Sequence, residues 1–299
     1  MGVRAAAFEF LRKLTEQHGD ALPHRKLREG FEHDGVRVPL LGPQGIFKPA
    51  AMRGMPLTIT TSPVVKGKPR PYDDEITPDG LIVYRYRGTD PNHRENVGLR
   101  RAMETRTPLI YLYGLVPGQY AAAWPAYIVG DDPASLTFTV AVDEPHSLMA
   151  TQPADELAED IRRRYATRIQ LQRLHQVGFR QRVIRAYQEA CAVCHLRHLE
   201  LLDAAHILPD SDPMGEPSVT NGLALCKLHH AAFDWNIIGI RPDMVVEVSF
   251  KVLAEVDGPM LVHGLQGFHE TPLHLPSKKA ERPNVEFVAA RYERFKAAG

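Results

Sequence analysis

The spacing of apolar positions changes along this chain, and each change predicts an element. Between residues 4 and 18, Phe8, Phe10, Leu11 and Leu14 fall at helical spacing and Gly19 follows as a stop, which predicts an opening helix. A second short helix is expected over His24 to Phe31. From Val36 the texture becomes short β-branched or apolar runs between Pro and Gly: Leu57–Thr60, Leu81–Tyr86, Leu109–Tyr113, Ala126–Val129 and Leu136–Val142. Such runs predict strands of a sandwich or barrel, with one helical insert at Arg94–Glu104. After Asp155, Glu156, Glu159 and Asp160, which favour a helix start, a long helix is expected through an arginine-rich stretch. A strand at Met244–Leu253 and a last helix at Asn284–Ala297 close the pattern.

Three cysteines are present, and all fall in one region. Cys191 and Cys194 sit two residues apart on a turn, and Cys226 and His229 repeat that spacing about 30 residues later, a layout suited to a closed tetrahedral zinc site. No cysteine is left over for a disulfide. A lone Cys-x-x-Cys has a redox pair as its rival, whereas two matched half-sites favour metal.

A second set, His206, Asn221, His230 and Asp234, is interleaved with the first. His230 and Asp234 stand at i and i+4, so one helix face presents both to a divalent cation. With Ala204-Ala205-His206-Ile207-Leu208-Pro209 and Asn221-Gly222-Leu223, these residues resemble the HNH, or ββα-metal, nucleases in their zinc-pinned form. The resemblance implies the catalytic set His206, Asn221 and His230: His206 as general base, Asn221 orienting it, and His230 with Asp234 holding Mg²⁺, Mn²⁺ or Co²⁺. The family often has a ligand immediately before the base. Here that position is Ala205, so Asp203 or Asp234 must complete the site.

A further resemblance lies in the β-rich region. Arg70-Pro71-Tyr72-Asp73-Asp74-Glu75 leading through Asp79-Gly80 to Tyr84 and Gly88, then Asn96–Ala102 and Thr107–Gly114, is similar to the SRA domain, a PUA-like β-barrel that flips 5-methylcytosine out of DNA. The similarity covers roughly residues 36 to 145. It implies a pocket with Tyr72 and Tyr84 as flat faces and Asp74 reading the cytosine amine, with Asp73 or Glu75 as neighbours for that role. Tyr84-Arg85-Tyr86-Arg87-Gly88 departs from the commonest flank of that family. Half-buried barrel tyrosines are the alternative reading.

Composition adds three constraints. Hydrophobic content of 44% over 299 residues suits two globular domains. No apolar run approaches the ~20 residues of a membrane helix, and Met1-Gly2-Val3-Arg4 does not open like a signal peptide. With cysteines used as ligands, a reducing cytoplasm is expected. The formal net charge is zero, yet eight arginines and no acid lie between Ile161 and Gln188. Among them Arg162, Arg163, Arg164 and Arg168 are assigned to DNA phosphate; a solvated linker helix is the alternative. His263, His269 and His274 lack ligand spacing and read as structural.

The expected architecture is α+β. An SRA-like barrel with N-terminal helices covers 1–150, a basic helical linker 151–188, and a zinc-stabilised HNH domain 189–299. The whole resembles the SRA–HNH modification-dependent restriction endonucleases, whose partner is double-stranded DNA carrying a modified cytosine. One cutting centre per chain would call for a homodimer on two strands. Two other readings stay open: an HNH nuclease aimed by a different reader, and an idle zinc-folded DNA-binding protein.

Overall fold

The computed structural model describes residues 2–52, 54–63, 77, 80–143 and 156–298, the side chains of 156–161 aside. Tyr72, Asp73, Asp74 and Glu75 therefore lie outside the described residues. The chain divides into two compact units, Met1–Val177 and Gly178–Gly299. The division falls inside one helix, so the basic stretch is shared between the units.

In the first unit the elements run α1 (Val3–His18), β1 (Leu22–Pro23), α2 (His24–Glu29), β2 (Phe31–His33), β3 (Val36–Val38), β4 (Ile46–Phe47), β5 (Thr58–Thr60), β6 (Ile82–Arg85), α3 (Arg94–Glu104), β7 (Leu109–Val116), β8 (Gln119–Asp132), β9 (Thr137–Val142) and the start of α4 (Glu156–Ala186). The second helix stops at Glu29, before the expected Phe31, because Gly30 takes a left-handed φ of 64° and Phe31 begins a hairpin with β3.

A mixed sheet runs β4-β5-β7-β8-β9-β6, with β1 added on β8. Only β5 and β7 pair in parallel among the described strands. All eight residues of β7 are buried, so this strand reads as a continuous apolar run and not as an alternation. Its Tyr111 and Tyr113 enter one core with Ile59, Ile82, Leu99 and Phe138, to which α4 adds Leu171 and Leu174. Ile110 and Leu112 face the other way, onto Leu11, Leu14, Leu27 and Leu40 beneath α1. No ladder joins β6 to β4 among the described residues. The sheet does curl: Tyr84 Oη on β6 donates to Thr60 O on β5 at 3.3 Å, although three strands separate them along the sheet.

The second unit holds the rest of α4, the hairpin β10 (Leu202–His206) and β11 (Gly222–Cys226), α5 (Lys227–Asp234), the hairpin β12 (Ile238–Ile240) and β13 (Val246–Val248), α6 (Phe250–Leu253), α7 (Pro259–Gly264) and α8 (Val285–Ala298). The strand expected over Met244–Leu253 is shorter. Met244 takes φ 65° after the Arg241 turn, and the chain turns helical after Ser249. Phe179 and Val183 on α4, and Tyr187 just past its end, stand four residues apart and pack with Leu202, Leu223 and Leu225 in this unit's core. Contact is so close that a Cβ on Gly222 would lie 2.4 Å from Val183 Cγ2.

Candidate active site and metal centre

The hairpin and α5 form a continuous ββα unit, in register Leu202↔Cys226 through His206↔Gly222. That register brings both ligand sets together. Cys226 ends β11 and stands as the N-cap of α5, so His229 lies in its first turn and His230 follows about 100° further round. His229 is buried while His230 is half-buried, which gives the two adjacent histidines different surroundings.

Cys191, Cys194, Cys226 and His229 offer four ligand atoms within 4.8 Å of one another. Cys194 Sγ and Cys226 Sγ are 3.9 Å apart and Cys191 Sγ lies 3.6 Å from His229 Nδ1. A tetrahedron with ~2.3 Å Zn–S bonds has edges of ~3.8 Å, so the donor set fits zinc. His229 Nε2 faces Gly264 O at 2.9 Å, which fixes the ring and leaves Nδ1 toward the sulfurs. Hydrogen bonds from Cys191 and Cys194 drive the Cys226 thiol down, while Cys191 and Cys226 drive Cys194 up. Burial works to lower His229, and the Cys191 and Cys226 sulfurs override it to raise it to about 9. Sulfurs this crowded cannot all ionise without a cation among them.

His206 ends β10 with its ring stacked on Phe179 of α4, centroids 4.0 Å apart and planes at 13°. Nε2 lies 3.1 Å from Asp210 Oδ1 without the alignment of a hydrogen bond. Burial pushes His206 below its ordinary value; Asp210 opposes this and His230 adds to it. A neutral imidazole at pH 7 is the form a general base needs.

Asn221 is fully buried, in the turn immediately before β11. Its Oδ1 accepts from Leu208 N at 2.9 Å, and its Nδ2 donates to Leu208 O at 2.9 Å and Glu216 O at 3.0 Å. Its carbonyl accepts from Ile207 N at 2.9 Å. Four bonds thus hold the loop that leaves His206.

His230 contacts both carboxylates: Asp203 Oδ2 at 3.7 Å from Nδ1 and Asp234 Oδ2 at 3.4 Å from Nε2. Burial acts to raise the Asp203 carboxyl, but His230 and Lys227 hold it well below the usual range. Asp203 raises His230 in turn, against burial. The mixed nitrogen and oxygen donors of His230 and Asp234 suit a hard or borderline divalent cation.

Asp210 and Phe179 at the base escaped the sequence reading, as did Lys227 and Arg180 at Asp203. Asp210 follows His206 by four residues in a Pro-Asp-Ser-Asp loop with no period, and Phe179 approaches from a different element. His269 is structural as expected, its Nδ1 accepting from Val248 N at 3.2 Å.

The arginines of α4 are more engaged than their sequence suggests. Arg162 forms a two-pronged pair with buried Asp143 at 2.6 and 2.8 Å. Arg163 lies over the Tyr127 ring at 4.7 Å, and Arg173 pairs with Asp20. Arg168 is exposed.

In the first unit, Tyr84 lines a cavity of about 90 Å³ with Gly45, Thr60, Thr61, Ser62 and Tyr86. A Cβ on Gly45 would meet Tyr84 Oη at 2.9 Å, so only glycine leaves this wall undisturbed. Tyr86 stacks on Phe138 and donates to Asp131, which Arg100 Nε holds at 2.6 Å. Arg85 and Arg87 stand exposed at the rim.

Residues 191–241 match the family model of an HNH endonuclease. Among solved structures, the chain is similar to one titled modification dependent TagI restriction endonuclease, at 16% identity and TM-score 0.29, covering 95% of this chain and 90% of that one. It is also similar to the type IV phosphorothioation-dependent restriction endonuclease ScoMcrA, at 15% identity and TM-score 0.22, covering 88% of this chain and 64% of that one. No curated protein matches. No helix among the described residues is long and apolar enough to cross a membrane. The second unit carries an HNH endonuclease domain, and the chain is a nuclease.

Proposed function

We propose that this nuclease is a modification-dependent DNA endonuclease, recognising 5-methylcytosine or 5-hydroxymethylcytosine by base flipping and hydrolysing phosphodiesters at His206. The observation that carries the hydrolytic part is a ββα unit that mounts His206 at the end of β10 and pairs His230 with Asp234 on α5, with the charge of His230 felt at His206. His206, held neutral by burial, takes a proton from water. Asn221 positions that imidazole by fixing the loop that follows it. His230 and Asp234 are the residues to hold a divalent cation, with Asp203 beside them; when bound, such a cation neutralises charge on the phosphate and the leaving oxygen. Cys191, Cys194, Cys226 and His229 hold structural zinc, which the donor set and its spacing support.

The aim is assigned to the first unit. The cavity beside Tyr84 and Tyr86 supports this reading, since both tyrosines line it together with Thr60, Thr61 and Ser62. Tyr72 and Asp74 are proposed to complete it from the segment between Pro63 and Leu81. Arg168, and the flanking arginines, supply phosphate contact on double-stranded DNA.

Digestion of matched unmodified, 5-methylcytosine and 5-hydroxymethylcytosine plasmids tests the aim. Tyr84→Ala removes a face worth ~1–3 kcal/mol in base stacking, and Asp74→Ala removes an edge contact. Both variants should lose preference for modified plasmid while cutting nonspecifically at high enzyme concentration. Full preference retained in both would place recognition elsewhere.

A further inference from the structure

His230 meets a carboxylate at each ring nitrogen, Asp203 at Nδ1 and Asp234 at Nε2. The two nitrogens face different edges of the ring, so an ion bound by one of them cannot also be bound by the carboxylate at the other. The surroundings decide between them. Asp203 is already met by Lys227 Nζ at 2.8 Å, by Arg180 Nε at 3.5 Å and by Ala204 N at 3.0 Å. Two fixed positive charges beside one carboxylate repel a divalent cation from it. Asp234 keeps a side chain 59% exposed, open to water and to a substrate phosphate.

The clamp on Asp203 is built into the backbone. Arg180 also donates to Leu199 O at 3.0 Å and Leu202 O at 2.7 Å, and Lys227 is the first residue of α5. Asp203 is thus held by the helix that packs on the hairpin and by the helix that carries His230.

We infer that Asp203 is a positioning residue and not a metal ligand: its carboxylate, 3.7 Å from Nδ1 of His230, favours the proton on that nitrogen and leaves the Nε2 lone pair toward a cation beside Asp234. A ligating histidine usually gives its second ring nitrogen to such a partner, which fixes both tautomer and ring plane. The ligand missing at Ala205 is then replaced by Asp234. This inference rests on the proposal that His230 holds the catalytic cation.

The test uses the full chain with histidine labelled by ¹⁵N, zinc content verified and no other divalent cation present. Long-range ¹H–¹⁵N correlations are read at alkaline pH, where the ring is neutral, and His230 is assigned from His230→Gln. Wild type should show the Nδ1–H tautomer. Asp203→Ala should revert to the Nε2–H form that free histidine favours, and Asp203→Asn, whose amide oxygen still accepts, should keep Nδ1–H. Mn²⁺ titration by electron paramagnetic resonance should show Asp203→Ala weakened about 10–100-fold, Asp203→Asn less, and Asp234→Asn more than either. An Nε2–H tautomer in wild type, or Asp203→Asn losing Mn²⁺ as fully as Asp234→Asn, overturns the inference. Unaltered Mn²⁺ binding in His230→Gln would instead overturn the cation site itself. No DNA enters these measurements, so their outcome is separate from which base the nuclease reads.

Discussion

Asn221 holds both backbone groups of Leu208, accepting its N–H at Oδ1 and donating to its carbonyl from Nδ2, each at 2.9 Å. The pair lies two residues beyond His206, so the asparagine sets the path of the chain on which the base is mounted. Asn221→Ala would strip partners from Leu208 N, Leu208 O and Glu216 O, and buried unsatisfied groups cost ~1–3 kcal/mol each. We expect a loss of about 3 kcal/mol in urea unfolding and a fall in kcat larger than any change in KM. Stability and kcat near wild type would contradict this role.

The four-ligand cluster gives a different signature. At such sites binding free energy is folding free energy, so Cys194→Ser should leave the second unit unfolded or insoluble. Metal analysis of the wild-type chain should give one zinc per chain, removed by chelator with loss of structure. A stable, metal-free Cys194→Ser protein would rule out the structural role.

Proton linkage separates the two active histidines. Burial holds His206 below its ordinary value, and its neutral form is required, so at saturating cation the acid limb of the rate should lie on the acid side of an ordinary imidazole. His230 is raised, chiefly by Asp203, and a proton there competes with metal. At low cation the limb should therefore move to higher pH, and added cation should move it back. An acid limb indifferent to cation concentration would contradict the assignment of His230.

Much of the site was legible because its residues are local. The two Cys/His pairs and the His230–Asp234 pair follow from fixed spacing on a turn and a helix. The partners of the arginine block were hidden for the opposite reason. Its compensating acids come from other elements, Asp143 lying 19 residues from Arg162 and Asp20 lying 153 from Arg173. The curl of the sheet was equally hidden, since the Tyr84–Thr60 contact depends on three intervening strands. Asp203 read as a spare ligand because sequence spacing does not show Lys227 and Arg180 converging on it.

Those engaged arginines predict unequal effects within one helix. Arg162→Ala leaves the buried Asp143 carboxylate without its two-pronged partner and should destabilise the first unit, by up to ~3 kcal/mol after allowance for the half-exposed arginine. Arg168→Ala touches no such pair and should change stability by less than ~0.5 kcal/mol. If Arg168 contacts phosphate, its loss should lower the slope of log K against log salt by about 0.9, equally on modified and unmodified DNA. An unchanged slope would return Arg168 to a solvated face.

Cleavage by His206→Ala decides whether His206 is the general base. Wild type and variant are compared on a 5-methylcytosine plasmid with Mg²⁺, Mn²⁺ or Co²⁺, alongside zinc content and DNA affinity. Wild type should cut in a cation-dependent way. His206→Ala should retain zinc and bind DNA equally while cutting at least about 100-fold more slowly, the size of a lost general base. Cleavage by His206→Ala near the wild-type rate would contradict the account.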